Sequence, residues 1–186
     1  MFCEIKVAQM AAYLLSKGGG RMAYLKLMKL MYLSDREHMR KYGEPISGDR
    51  MVSMPHGPVL SYSLDLMNGS SQGSDEGWGR WIAGASDYEL ETKLPSVERD
   101  EYDELTDAEL AVLNGVYSEY GHMTKWQIRD YTHLHCPEWI DPHGGSYPID
   151  PRNVFLALGK SNEVAIQLAN RMREQNELDR VISGLV

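Results

Sequence analysis

The run from Leu25 to Val59, LKLMKLMYLSDREHMRKYGEPISGDRMVSMPHGPV, constrains the fold more than any other part of the chain. At about 3.6 residues per helical turn, Tyr24, Leu27, Met28, Met31 and Met39 fall on one arc. Lys26, Lys29, Arg36 and Arg40 fall on the opposite arc, with Leu33 and Glu37 among them. This predicts a Met22–Lys41 helix with an apolar face and a basic face. Asp35 interrupts the pattern, because its angle places it within the apolar arc, close to Met28 and Met39. A carboxylate there is costly unless it accepts hydrogen bonds or meets a cation. The nearest groups downstream are Arg50 and the backbone N–H groups of the His56–Val59 turn, with Pro58 read as the first residue of another helix. Asp35 is therefore expected to tie the helix to the Gly57-Pro58 turn.

The remaining segments read as further helices around this unit. Glu4 to Lys17 carries Ile5, Ala8, Ala12 and Leu15 on one face, broadened by Val7, Ala11 and Leu14, the pattern of a helix buried between others. Gly18-Gly19-Gly20 ends it; without a GxxxxGK[ST] pattern or a preceding strand, these glycines read as a helix connection and not a phosphate loop. Ile46 to Met54 reads as a hairpin turning at Ser47-Gly48-Asp49, and Pro58 opens a helix to about Met67. Asn68 to Gly79 has the composition of a surface loop, and Trp78 and Trp81 anchor a short helical piece. Tyr88 to Leu94 alternates, with Tyr88, Leu90, Thr92 and Leu94 on one face of a strand. Together with the hairpin it predicts one small antiparallel sheet, whose edge either accepts a partner strand or is covered by a loop.

Glu98 to Glu109 holds seven acidic residues and one arginine. Glu101, Asp103 and Glu104 within it offer a docking site for a basic partner; the alternative is a solvated loop that favours the next helix N-terminus. Thr106-x-x-Glu109 is a capping box, and the helix it opens carries Leu110, Leu113, Val116 and Tyr117. Thr124 caps another helix, with Trp126, Ile128 and Tyr131 available for burial. Asp150-Pro151 reads as cap plus first helical residue, and Ser161 or Asn162 caps the last helix, striped by Val164, Leu168 and Met172. Residues 174–186 read as a helical tail that frays or leaves the body of a single domain.

A net charge of −8 opposes general nucleic-acid binding, which depends on neutralising phosphates with Lys and Arg. Eleven Met against two Phe predict a soft, adaptable core. Cys3 and Cys136 share no framework spacing and read as free thiols of a cytoplasmic protein; no signal peptide or membrane-spanning run is evident. His133-x-His135-Cys136 holds ligand-type residues, and a metal-dependent hydrolase or nuclease built on His133 and His135 is the competing reading. Paired zinc spacing is absent, as are GxSxG, HExxH and GxGxxG patterns, so the histidines read as structural, and neither an enzyme nor a cofactor is predicted. The basic arc reads either as a solvated face or as a partner contact through Lys29, Arg36 and Arg40.

Several ordered pieces carry a resemblance. Lys26-Leu27-x-Lys29-Leu30-x-Tyr32-Leu33-x-Asp35 is followed by Gly43-Glu44-Pro45-Ile46 and by Gly57-Pro58-Val59. Leu105-Thr106-x-x-Glu109 and Thr132-His133, then Pro137-x-Trp139, come later. In this order they resemble the Panacea antitoxin domain family, which includes SocA-like proteins. The resemblance implies a helix-dominated fold, with Lys26, Lys29, Tyr32, Asp35, Gly57, Pro58, Val59, His133 and Trp139 as motif residues. It implies an antitoxin of a type II-like, phage-associated toxin–antitoxin system that binds a cognate protein toxin. SocA-like members suggest a variant in which the domain delivers the toxin to a Clp-type protease. Toxins opposed by such domains are diverse, so the resemblance names no particular one.

Overall fold

The apolar segment at the N-terminus forms helix α1 (Glu4–Lys17), with Val7, Ala8, Met10, Ala11, Leu14 and Leu15 fully buried. Gly18 closes it, and Gly19 and Gly20 take positive φ, turning the chain into strand β1 (Arg21–Ala23). Helix α2 (Tyr24–Tyr42) therefore starts two residues later than its periodicity predicts, because Met22 and Ala23 are engaged in strand pairing. Gly43, at φ +83°, ends it in the left-handed conformation. The computed structural model describes residues 1–94 and 98–183.

Among these residues the fold is mainly helical, with eight α-helices and two small antiparallel sheets. After α2 come β2 (Met51–Met54), β3 (Gly57–Leu60), α3 (Ser61–Asn68), α4 (Trp78–Trp81), β4 (Ile82–Ala85) and β5 (Glu89–Thr92). The second half holds α5 (Asp107–Tyr120), α6 (Lys125–His135), β6 (Tyr147–Pro148), α7 (Pro151–Ala157) and α8 (Asn162–Ser183). Helix α2 is the axis of the molecule, touching α1, α3, α5, α6, α7 and β3. Met10, Met22, Met28, Met31, Met39, Met51 and Met67 are buried in the core, the soft packing that the composition predicts.

Strand geometry departs from the sequence reading in three ways. The hairpin is not formed within Ile46–Met54; β2 pairs with β3, Met51 opposite Leu60 and Met54 opposite Gly57, around a Pro55-His56 turn. Pro58 stands in β3 and does not open a helix; β3 lies at the edge of the order β3-β2-β6, where a missing N–H removes no ladder bond. The two predicted strands also belong to separate sheets. β5 is the central strand of β1-β5-β4, so the free edge expected at Tyr88–Leu94 does not exist there. Leu90 and Thr92 share a buried face as the alternation predicts, but Tyr88 lies in the preceding turn and is exposed.

Helix ends follow their caps. Thr106/Glu109 and Thr124/Gln127 both form reciprocal capping boxes, and Asp150 caps α7 by accepting from Arg152 N at 2.9 Å. Helix α3 is capped from a distance: Asp49 accepts from Tyr62 N, Ser63 N and Ser63 Oγ at 2.8–3.0 Å. Ser161 Oγ accepts from Val164 N at the start of α8, which buries Ala165 and Ala169. Farther along α8, Arg173 pairs with Asp150, and Asp179 accepts from the N-terminal ammonium of Met1. The tail predicted over 174–186 is helical to Ser183, and 184–186 fall outside the described residues.

Candidate functional site

The polar residues of α2 point largely inward, against the two-faced helix that its periodicity predicts. Lys29 is fully buried, so it does not belong to a solvated basic stripe. Its ammonium donates to Pro58 O at 2.7 Å and holds β3 against the helix. Lys26 donates to Gly121 O at 2.7 Å, fastening the end of α5. Tyr32 Oη and Arg36 Nε both donate to Glu138 Oε1, at 2.8 and 2.7 Å. Asp35 is buried as predicted, but its partners lie elsewhere. Its Oδ1 accepts from Ile46 N and Ser47 N, each at 2.9 Å, and its Oδ2 accepts from Ser47 Oγ. Arg50 instead lies over the Tyr62 ring. The chain leaving α2 turns back at Gly43-Glu44-Pro45, so Ile46 and Ser47 reach the carboxylate before the hairpin does.

A second clasp joins α6 to the β2–β3 hairpin. Gly57 adopts φ +93°, and a Cβ there would lie 2.9 Å from Lys29 Nζ and Thr132 Oγ1. Both the conformation and the close approach require glycine. The His133 ring stacks on Trp139 with centroids 4.2 Å apart and planes within 3°. Trp139 Nε1 donates to Met54 O at 2.9 Å, and Ile140 N donates to Ser53 Oγ at 3.2 Å. Val59 in β3 is buried as well.

Burial sets the charges of this interior. Lys29 is brought down to about 7 by desolvation, with Arg129 adding repulsion. Asp35 is pushed up to about 7 by burial, which outweighs its three donors. Burial also raises the Cys136 thiol to about 12, which keeps it protonated and unreactive. His133 is lowered, again chiefly by burial, with Lys29 repelling its charged form.

The candidate partner contacts thus divide. Lys29 is inside, and Arg36 is largely covered through its pair with Glu138. Arg40 is exposed and paired with Glu37. Glu101, Asp103 and Glu104 are exposed; Asp103 accepts from Gln9 Nε2 at 2.6 Å and Glu104 N donates to Gln9 Oε1 at 3.0 Å, which fixes the loop on α1. His133 and His135 diverge, the first toward Trp139 and the second toward Tyr131. Among the described residues, no three His, Cys, Asp or Glu side chains converge in a way that suits a metal ion.

Two features escape the sequence reading. Glu138, the shared acceptor of Tyr32 and Arg36, stands between Pro137 and Trp139, and its position there is the only sign of its role. The other is an apolar groove of about 510 Å³, lined among others by Met54, Leu64, Tyr88, Lys125 and Trp126. Trp126, read from the sequence as available for burial, is 50% exposed. No helix among the described residues is long and apolar enough to cross a membrane.

Comparison with known families places this architecture. The family described as antitoxin SocA-like, Panacea domain, matches residues 27–140, from the first buried turn of α2 to the Trp139 clasp. No curated protein and no solved structure matches the chain.

Proposed function

Because the chain belongs to the family of SocA-like antitoxins with a Panacea domain, we propose that it is a proteinaceous antitoxin that binds a cognate protein toxin in the cytoplasm and neutralises it. The observation that carries the reading is the family match over residues 27–140, the same span that the buried bonds of α2 tie into one unit. Such a domain acts by binding and not by catalysis, in keeping with the divergence of His133 from His135 and the burial of Cys136. The mechanism is stoichiometric: the folded domain occludes the working surface of the toxin. The motif residues Lys26, Lys29, Tyr32, Asp35, Gly57 and His133 serve as the frame, and the partner meets side chains that the frame leaves exposed. Glu101, Asp103 and Glu104 supply a negative field that draws a basic surface toward the domain.

Co-expression with a toxic protein encoded beside this chain's gene tests the proposal. Restored growth and a purifiable complex are expected. Failure of both removes the antitoxin reading for that pair. Repeating the rescue in a strain lacking Clp-type proteases separates two mechanisms, since an occluder still protects there and a proteolytic adaptor does not.

A further inference from the structure

The β4–β5 turn holds an aromatic residue where the backbone favours glycine. Ser86 O accepts from Glu89 N at 3.3 Å, and the two central residues, Asp87 and Tyr88, have φ of 63° and 61°. Both central φ are positive, as in a type I′ turn, whose second central position is ordinarily glycine. Tyr88 nevertheless stands there with 78% of its surface exposed. Its ring tilts against that of Tyr24, centroids 6.1 Å apart, and its carbonyl accepts from Tyr24 N at 3.0 Å, so the backbone is tied down while most of the ring stays in solvent. Strained, exposed residues of this kind gather at binding sites.

Tyr88 and Trp126 both line the apolar groove. The volume of about 510 Å³ suits a large side chain or a short peptide segment, and the unbranched Met54 side chain gives the lining an adaptable part. Tyrosine and tryptophan, with arginine, are enriched among the side chains that dominate protein interfaces. Charge narrows the choice of occupant. Lys125 and Arg129 both lie over the Trp126 ring, at 5.3 and 4.9 Å. Arg129 is held by Asp130, whereas Lys125 has no carboxylate partner among the described residues. In a chain of net charge −8, this leaves a local cation beside an apolar opening.

We propose that the Tyr88–Trp126 groove is the anchoring site for the protein partner, taking a segment that presents a large apolar side chain flanked by a carboxylate for Lys125. This rests on the antitoxin reading for the partner's identity, although the groove's chemistry can be tested without it. The first test titrates the full chain with 8-anilinonaphthalene-1-sulfonate, an apolar ring system bearing one anion. Trp126→Ala and Lys125→Glu are each expected to weaken a saturable fluorescence signal by about tenfold, the scale of one lost aromatic or charged contact. Tyr88→Gly is expected to weaken it too, while the melting temperature stays level or rises because the turn is relaxed. Wild-type affinity in all three folded variants overturns the proposal, as does a drop in the melting temperature of Tyr88→Gly, which makes Tyr88 structural. The second test repeats the toxin co-expression. If the wild type protects and the folded groove variants do not, the groove is the anchor. If all protect equally, the groove proposal fails and the antitoxin reading stands. If the wild type does not protect, the antitoxin reading fails and the dye titration alone decides the groove. A dimer of the wild-type chain that dissociates with Trp126→Ala identifies a second copy as the occupant and overturns the commitment to a foreign partner.

Discussion

Lys29 and Asp35, six positions apart on α2, are both fully buried, and burial moves their proton affinities in opposite directions. Asp35 rises from 3.8 to about 7, so the folded state holds its proton more tightly than the unfolded state. Its contribution to stability is complete below its unfolded value and is lost as pH rises toward 7. Lys29 falls from 10.5 to about 7, so its contribution is complete above 10.5 and is lost as pH falls through 7. Together they are expected to give stability a minimum near neutral pH. Urea denaturation at pH values of about 5, 7 and 9.5 checks this. Asp35→Asn should flatten the acid limb relative to wild type, and Lys29→Met the alkaline limb. Slopes identical to wild type in both variants would show that these groups ionise as they do in the unfolded chain. Asp35→Ala, which leaves the Ile46, Ser47 N–H and Ser47 hydroxyl donors without their acceptor, should destabilise by about 1–3 kcal/mol.

Helix α2 acts as an element through what it fastens: Gly121 at the end of α5, Pro58 in β3, Glu138 beyond α6, and Ile46-Ser47 in the loop it leads into. Glu138 is the joint with the most to lose, since its removal strands both the Tyr32 hydroxyl and the Arg36 guanidinium. Glu138→Ala should cost about 3 kcal/mol in chemical denaturation, at the low end for a broken buried pair because Arg36 is partly exposed. A loss under about 0.5 kcal/mol would mean that solvent replaces the carboxylate without penalty. Elements with strong local signals were legible in the sequence: the apolar circumference of α1, the capping boxes at Thr106 and Thr124, and the Asp150-Pro151 start. So was the burial of Asp35, because a carboxylate on an apolar arc has few other outcomes. The partner of Asp35 was not legible, since the preceding turn decides which N–H groups arrive first. Lys29 was misread for a related reason: periodicity separates two faces of a helix but does not reveal that both are covered. The strand pairing of Tyr88–Leu94 and the groove depend on segments brought together from distant parts of the chain, which leave no local pattern.

A buried polar frame holds α2, β3 and the Trp139 clasp, with the acidic loop and the groove exposed around it. The acidic loop at Glu101, Asp103 and Glu104 and the Tyr88–Trp126 groove should act on different rate constants. Charge reversal at the three acids is expected to slow association with a basic partner by several-fold at low salt and to change dissociation little, because exposed charges act through steering. Surface plasmon resonance at two ionic strengths separates the terms; an unchanged association rate would assign the loop to solvation alone. Stoichiometric neutralisation of a protein toxin by direct binding is checked by titrating a purified toxin that co-expression identifies with the purified chain while recording residual toxin activity. Saturable heat of binding and loss of activity that ends at equimolar chain are expected. No heat of binding, or loss of toxin activity at a small fraction of an equivalent, would contradict it.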